Sequence, residues 1–198
     1  MDVLVLIPES TRKAGGGDPH AKTVDEVAGA LPDAVRDELY ALRAEVAGNW
    51  KNAAAKEGVM PAYQRYQGNM YHAIPPEAWA RRKPGVEVVI ASGLYGLVAS
   101  HDTVFAYPHS MAEPMPPFGK LNRWWHDHGL PRILAAYLKA VKPKTVVDLL
   151  SLEYRKSVEG YADGLGLAVK PIDFPGMGRE SQPMRGDKIA ATLTTGRV

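Results

Sequence analysis

Short apolar runs alternate with longer segments of helical spacing along this chain of 198 residues. The first run is rich in β-branched residues and ends at Pro8, and a continuous apolar run of this kind is typical of a strand buried on both faces. The pattern predicts strands at residues 3–7, 86–92, 144–150 and 167–174. Because these strands alternate with helices, they indicate an α/β sheet that is at least partly parallel.

Helices are predicted where apolar residues recur at every third or fourth position. The predicted helical segments are residues 23–56, 63–74, 76–82, 118–141, 154–164 and 187–194. Pro32 divides the first segment into two helices, because proline has no N–H to donate and disfavours helical geometry in the residue before it. The glycine and proline at residues 129–131 kink or split the long helix, and Asp187 is suited to the N-cap of the last one.

The composition fits one α/β domain over residues 1–198, with a mixed, partly parallel sheet flanked by helices. At 45% hydrophobic residues the chain can bury a core of its own. It contains no cysteine, which excludes disulfides, thiolate metal sites and a cysteine nucleophile. Neither an internal repeat nor a long linker divides the sequence.

The N-terminal apolar stretch ends at Pro8 and is too short for the apolar region of a signal peptide. No segment approaches the roughly 18 to 20 apolar residues that a membrane span requires. We therefore expect a cytoplasmic protein without a membrane partner. The net charge is +2, from 24 basic and 22 acidic residues, which is no nucleic-acid footprint by itself because phosphate binding requires clustered Lys and Arg.

A polar, glycine-rich loop follows the first predicted strand in the stretch LIPESTRKAGGG, residues 6–17. Loops at the carboxyl end of a buried strand are where α/β proteins place their sites. Lys13 could hold a phosphate as a point charge, Ser10 could form hydrogen bonds, and glycines let the backbone approach a ligand. The spacing matches neither a Walker A loop nor GxGxxG, and a plain flexible loop is the alternative interpretation.

The stretch ASGLYGLVASHD, residues 91–102, follows the second predicted strand. It contributes Ser92, Gly93 and Tyr95, and glycines on both sides of a tyrosine favour a tight turn that directs the hydroxyl into a cleft. Polar candidates from the other stretches are Tyr71 in YQGNMYHAI, Tyr107 and His109 in FAYPHSM, and Glu153 and Lys156 in LLSLEYRKSV. For Tyr71 a purely structural role in the core is the alternative.

No metal site and no cofactor is predicted. His126 and His128 form an H-x-H pair, but side chains two positions apart on a helix point about 200° apart, so one ion cannot easily bind both. Ser10 and Lys13 could form a nucleophile pair, although a contact to a phosphate or carboxylate fits them better.

Together these stretches resemble the landmarks of the YaaA family, the bacterial peroxide-stress proteins, in the family's order. LIPESTRKAGGG resembles the family's PPSEGKAxGG, and YQGNMYHAI resembles its F/Y-x-G-x-x-Y element. ASGLYGLVASHDTVFAYPHSM resembles LSGLYGVLRPxDxxxxYRLxM, and LLSLEYRKSV resembles NLASxEYxKSV. The similar stretches span residues 3–158.

The resemblance implies a mixed α/β protein with a positively charged cleft, a helix–hairpin–helix-like element that binds duplex DNA, and a role in the oxidative stress response. Carried over to this sequence, the cleft residues are Ser10, Lys13, Gly68, Tyr71, Ser92, Gly93, Tyr95, Gly96, Tyr107, Glu153, Tyr154 and Lys156. The hairpin would lie near Ala44 to Ala55. His109 stands where the family has an arginine, so a permanent cation is replaced by a titratable group.

Two hypotheses about function follow. The first, favoured by the resemblance, is a DNA-binding stress protein. The second is an enzyme acting on a small anionic nucleotide, a nucleoside or a nucleobase-like substrate, in which Lys13, Glu153 and Tyr95 would be catalytic and Glu153 would act as general acid/base. In either case the expected ligand- or phosphate-binding residues are Ser10, Lys13, Tyr71, Ser92, Gly93, Tyr107, His109 and Lys156. A structural module without a ligand explains the polar strand ends poorly.

Overall fold

The computed structural model describes residues 1–49 and 58–198, and the run Val3–Pro8 forms the central strand of its main sheet. The strands are β1 (Val3–Pro8), β2 (Met60–Pro61), β3 (Val86–Ser92), β4 (Gly96–Ala99), β5 (Thr103–Val104), β6 (Pro114–Met115), β7 (Gly119–Lys120), β8 (Thr145–Asp148) and β9 (Ala168–Pro171). The helices are α1 (Glu26–Ala30), α2 (Asp33–Gly48), α3 (Ala62–Arg65), α4 (Asn69–His72), α5 (Pro76–Ala80), α6 (Leu121–Asp127), α7 (Leu130–Val141), α8 (Leu152–Arg155) and α9 (Ser181–Thr195), with a 3₁₀ turn at Gly178–Glu180.

The main sheet has five strands in the order β4-β3-β1-β8-β9. β1 is parallel to both β3 and β8, β9 is parallel to β8, and β4 is antiparallel to β3. Val5 lies opposite Val88 on one side and Val147 on the other, and all three are fully buried. Burial on both faces explains why these strands are continuous apolar runs. The predicted α/β class with a mixed, partly parallel sheet flanked by helices is confirmed.

The order of the strands creates a switch point beside β1. After β1 the chain adds β3 and β4 on one side, and only later adds β8 and β9 on the other side. The connections that leave the carboxyl ends of β1 and β8 therefore diverge, which opens a crevice between them.

Several predicted helices have other bounds in the structure. The split of the 118–141 segment is confirmed, since α6 and α7 meet at Gly129 in the left-handed region. The single helix predicted over 63–74 is wrong, because Tyr66 leaves α3 to form a backbone bridge with Lys13 before α4 begins. The helix predicted over 154–164 is wrong in its bounds, since α8 begins earlier and makes only about one turn.

The last helix begins well before Asp187, so the predicted N-cap there is wrong. α9 starts at Ser181 and passes through Gly186 without a break. A Cβ on Gly186 would lie 2.3 Å from the carbonyl oxygen of Met70. This glycine therefore allows α9 to cross α4 closely, and its presence is not a helix boundary.

The antiparallel strand β4 was not predicted, because its sequence lies in the GLYGLV stretch that indicates a turn. Gly96 begins β4 with a φ of +68°, and a Cβ there would lie 2.8 Å from the Trp125 ring. Conformation and close packing both require glycine at this position.

The predicted hairpin near Ala44 to Ala55 falls only partly within the described chain. Its first residues belong to α2, and residues 50–57 lie outside the described residues. Within residues 1–49 and 58–198, no helix is long and apolar enough to span a membrane.

A buried carboxylate joins α1 to the sheet. Asp102 accepts hydrogen bonds from the backbone N–H of Glu26 at 2.5 Å and of Ala99 at 2.7 Å. The residue is 1% exposed. Burial raises the pKa of Asp102 to about 7 and outweighs the opposing effect of the backbone hydrogen bonds.

The raised pKa of Asp102 predicts a stability that depends on pH. Between about pH 4 and about pH 7 the folded protein retains a proton that the unfolded chain has released, so the free energy of unfolding should fall as pH rises, by up to about 1.4 kcal/mol per unit. Urea unfolding of the wild type and of Asp102→Asn across this pH range isolates the effect as the difference between their free energies of unfolding. The difference between the two proteins should shrink as pH rises, and a constant difference would contradict the assignment.

Candidate functional site

A crevice of about 230 Å³ lies at the switch point. Glu9 and Ser10, directly after β1, form one wall, and Ser151 and Tyr154, after β8, form the other. In open α/β sheets ligands bind outside the carboxyl ends of the strands where the strand order reverses. We call this cavity the switch-point crevice and take it as the candidate site.

The switch-point crevice is lined mainly by hydroxyl and amide groups. Besides the residues that follow the strands, Asn69, Tyr71 and Gln182 contribute to its walls. Among the lining residues within the described ranges, Glu9 carries the only carboxyl group and none is Lys or Arg. The crevice is therefore suited to a ligand held by hydrogen bonds more than by ion pairs.

Glu9 is the most constrained polar group of the site. Its Oε1 accepts hydrogen bonds from the backbone N–H groups of Gly93 and Met111, both at 2.7 Å. Its Oε2 accepts a hydrogen bond from the Tyr107 hydroxyl. The residue is 5% exposed, so these bonds replace the hydration that the carboxyl group loses on burial.

Lys13 is the cationic partner of Glu9. Its Nζ lies 3.6 Å from Glu9 Oε2, and the lysine side chain is only 4% exposed. The same Nζ donates a hydrogen bond to the backbone carbonyl of His109 at 2.9 Å and lies 4.0 Å from the centre of the Tyr107 ring. Lys13 therefore faces inward, toward a carboxylate and an aromatic ring.

Burial acts on both members of this pair. It raises the pKa of Glu9, while Lys13, the Tyr107 hydroxyl and the two backbone N–H groups oppose the increase. It lowers the pKa of Lys13, and the charge of Glu9 opposes that decrease. Both pKa values thus move toward neutrality, which is the direction that favours proton transfer near pH 7.

A chain of hydroxyl groups extends from Glu9 into the core. The Tyr107 hydroxyl shares hydrogen bonds with Ser92 Oγ at 2.7 Å and with the Tyr66 hydroxyl at 2.6 Å. Ser92 Oγ also accepts the backbone N–H of Tyr95 at 3.2 Å. The structure therefore brings together Lys13, Ser92, Gly93 and Tyr107 from the predicted site.

The glycine-rich loop is held from inside by Arg65. This side chain is fully buried and donates hydrogen bonds to the carbonyl groups of Ala14, Gly16 and Gly58. An arginine with several N–H donors in a fixed fork can hold several carbonyl groups at once. The loop is consequently tied to α3 as well as to β1.

Ser10 and Tyr71, from the expected ligand-binding residues, line the crevice. Ser10 donates its hydroxyl to the carbonyl oxygen of Gln67, and Tyr71 donates its hydroxyl to the carbonyl oxygen of Pro8 at 2.9 Å. A Cβ on Gly68 would lie 2.6 Å from Ser10 Oγ. Close approach to Ser10 therefore accounts for the glycine in the YQGNMYHAI stretch.

Tyr95 contacts the backbone of Phe105 and the ring of Tyr107. Its hydroxyl accepts the backbone N–H of Phe105 at 3.0 Å, and its ring lies edge-on to Tyr107 with the ring centres 6.0 Å apart. Arg43 donates to the backbone carbonyl of Tyr95 at 2.9 Å. Tyr95 thus packs edge-on against Tyr107 and holds the segment that follows β5.

Glu153 and Lys156 form a separate surface cluster. Lys156 Nζ lies 2.5 Å and Lys120 Nζ 3.3 Å from the carboxylate oxygens of Glu153. These two lysines lower the pKa of Glu153 to about 2. Glu153 and Lys156 are therefore paired with each other, whereas Lys13 is paired with Glu9.

Glu9 was not among the residues predicted from the sequence. Two signals for it were present: a carboxyl residue stands directly at the end of the first buried strand, and a lysine follows four positions later. His109 contributes its backbone carbonyl to Lys13, and it lies near the Glu113 carboxyl, which accepts the backbone N–H of Ser110 at 2.8 Å.

The H-x-H pair has other contacts. His126 lies 3.2 Å from Asp127, and His128 stacks on the Trp124 ring with ring centres 4.2 Å apart. In the part of the chain that the structure describes, no group of three His, Cys, Asp or Glu residues is arranged to hold a metal ion.

Gly93 is predicted to be intolerant of a side chain. A Cβ there would lie 2.9 Å from the backbone nitrogen of Met111 and 3.1 Å from Glu9 Oε1, so Gly93→Ala must displace the carboxylate or its donors. We expect a loss of about 1–3 kcal/mol in the free energy of unfolding, measured with urea. Gly29→Ala is the matched control, because nothing lies within 4 Å of its Cβ position. Equal stability of the two variants would contradict the tight packing around Glu9.

Comparisons with known proteins agree with the resemblance drawn from the motifs. A family model described as peroxide stress protein YaaA matches residues 19–174. A UPF0246 protein of Streptomyces coelicolor is 31% identical over 119 residues, which cover 59% of this chain and 42% of that protein. A UPF0246 protein of Clostridioides difficile is 31% identical over 107 residues, covering 51% of this chain and 40% of that protein.

The chain thus matches about two fifths of the length of these curated relatives. The family model, in contrast, extends over well more than half of the chain and includes the strands β3 and β8. The predicted resemblance is confirmed, and this protein belongs to the YaaA family of peroxide stress proteins.

Proposed function

We propose that this protein is an enzyme that acts on a small nucleotide-, nucleoside- or nucleobase-like substrate in the switch-point crevice. The observation that carries the proposal is a buried carboxyl, Glu9, in the wall of a crevice that hydroxyl and amide groups line. Burial raises the pKa of this carboxyl group, which is the direction that suits a general acid or base. Such groups are typical of catalytic acids and bases in clefts.

In this proposal Glu9 is the proton-transfer group, and the substrate must displace a neighbouring side chain to reach it, since the Glu9 side chain has no exposed surface. Lys13 and Tyr107 set the balance between its two protonation states, because both stabilise the ionised carboxylate against the effect of burial. Ser10, Asn69 and Ser151 line the crevice and can hold the polar groups of a substrate by hydrogen bonds.

Glu153, which the sequence analysis predicted as the general acid/base of an enzyme, is less suited to that role. With a pKa of about 2 it is ionised throughout the neutral range and has no proton to donate. The predicted role of Lys13 is retained in a modified form, since Lys13 acts on Glu9 and through it on the substrate.

Duplex DNA binding, the other hypothesis, has less support from the charges of the site. Lys13 is nearly inaccessible and paired with Glu9, and Lys156 is paired with Glu153. A lysine that already neutralises a carboxylate adds little to the binding of a phosphate, because binding requires that the ion pair be broken.

Turnover should depend on Glu9. The protein is incubated with a panel of nucleobases, nucleosides and nucleoside 5′-phosphates, and products are separated by liquid chromatography. We expect Glu9→Gln to reduce the turnover of the accepted substrate by about 100-fold or more, the usual contribution of general acid–base catalysis. Conversion at the wild-type rate by Glu9→Gln would overturn the assignment, as would the absence of turnover across the panel.

The matched control for this change is Glu153→Gln, which removes a carboxylate from the separate surface cluster and should leave turnover within about twofold. Because Glu9→Gln can also disturb folding, Tyr107→Phe provides a second variant that retains the carboxyl group. Loss of the Tyr107 hydroxyl removes a hydrogen bond that stabilises ionised Glu9, so the acidic limb of the pH–rate profile should move to higher pH. An unshifted profile would contradict the role of Glu9.

Binding of duplex DNA, measured by fluorescence anisotropy over a range of salt concentrations, tests the other hypothesis. We expect Lys156→Ala to leave the log–log salt slope unchanged, whereas removal of a lysine that binds one phosphate would flatten the slope by about 0.9. Lys170→Ala, an exposed lysine on β9, is the control for nonspecific charge effects. A slope that flattens for Lys156→Ala and not for Lys170→Ala would favour DNA as the partner.

A further inference from the structure

A second cavity, of about 430 Å³, adjoins the switch-point crevice. Its walls come from the segment that carries α3, α4 and α5, and they include Tyr63, Tyr71 and Trp79. We call it the ring pocket. The ring pocket is distinct from the proton-transfer groups, since Glu9, Lys13 and Tyr107 are not part of its lining.

One wall of the ring pocket is a continuous aromatic surface. The Tyr63 and Trp79 rings pack against each other with centres 5.0 Å apart and planes tilted by 31°. Trp79 is 6% exposed and is fixed in α5. Two adjoining rings held by separate helices offer a rigid platform on which a planar ring can stack.

The rest of the lining combines polar side chains with Ile74 and Pro76. Gln64, Gln67 and His72 lie around the aromatic wall, and carboxamides can both donate and accept hydrogen bonds, as the edges of heterocycles require. None of the lining residues that the structure describes is Lys, Arg, Asp or Glu. This combination favours a neutral, planar, hydrogen-bonding ligand over an anion or a cation.

The ring pocket and the switch-point crevice share a boundary. Tyr71 lines both cavities, and the adjacent residues Gln67 and Gly68 line the ring pocket and the crevice respectively. The Ser10 hydroxyl is bonded to the Gln67 carbonyl at this boundary. A ligand with a flat ring and a polar hydroxylated part would match the two cavities in turn.

We propose that the ring pocket binds the heteroaromatic ring of a neutral nucleoside-like ligand, whose hydroxylated part lies in the switch-point crevice. The inference rests on the proposed function and narrows its substrate class from nucleotides, nucleosides and nucleobases to compounds with an uncharged ring and sugar. Stacking on the Tyr63 ring, against which the largely buried Trp79 packs, supplies most of the affinity, and the crevice groups orient the reacting part.

The test uses adenosine, adenine and ribose as probes, with binding to the full chain measured by isothermal titration calorimetry. Adenosine and adenine should bind with dissociation constants below about 5 mM, and ribose should not. Tyr63→Leu should weaken adenosine binding by about five- to 100-fold, the usual effect of losing one base–aromatic stack. Tyr40→Leu is the matched control, because Tyr40 is an exposed tyrosine on α2, away from both cavities.

The outcomes separate this proposal from the proposed function. If Asn69→Ala in the crevice weakens adenosine binding and Tyr63→Leu does not, the ring pocket is overturned and the crevice stands. If Tyr63→Leu weakens binding but no turnover depends on Glu9, the ring pocket stands and the enzyme proposal fails. If neither adenosine nor adenine binds at millimolar concentration, the ring pocket is overturned. The same holds if Tyr63→Leu and Tyr40→Leu weaken adenosine binding equally.

Discussion

The site depends on the hydrogen bonds that the buried Glu9 carboxylate accepts. It joins the end of β1 to the turn after β3 through Gly93 and to the 107–111 segment through Tyr107 and Met111. A carboxyl group removed from water needs all of these donors, because an uncompensated buried charge costs several kcal/mol. The loops around the switch-point crevice are therefore positioned by one group, and a change in any donor alters the environment of that group.

Sequence periodicity was sufficient for the fold class and for β1, β3 and β8, since strands buried on both faces leave continuous apolar runs. It also predicted β9, which is largely exposed. It failed where tertiary contact overrides local preference. Gly186 indicates a boundary by composition but lies inside α9, because α4 crosses there. In the site, single positions such as Lys13 were recognisable, whereas its pairing with Glu9 depends on side-chain direction within a loop, which periodicity does not encode.

The family to which the chain belongs is defined by peroxide stress, and this chain contains no cysteine. Cysteine oxidation is therefore not available to the residues of this sequence. In our proposal, the polar groups around Glu9 and the aromatic wall of Tyr63 and Trp79 serve the recognition of a small molecule. Local charges agree, because the lysines proposed as phosphate contacts are engaged by carboxylates.

The buried guanidinium of Arg65 has a consequence for affinity. Because it binds the carbonyl groups of Ala14, Gly16 and Gly58, the glycine-rich stretch is already ordered. A loop that must be immobilised by its ligand subtracts that entropy from the binding free energy, whereas a loop fixed beforehand does not. The cation inside the protein thus orders the loop that continues from Ser10 and Thr11 of the switch-point crevice, and a ligand there need not provide that ordering.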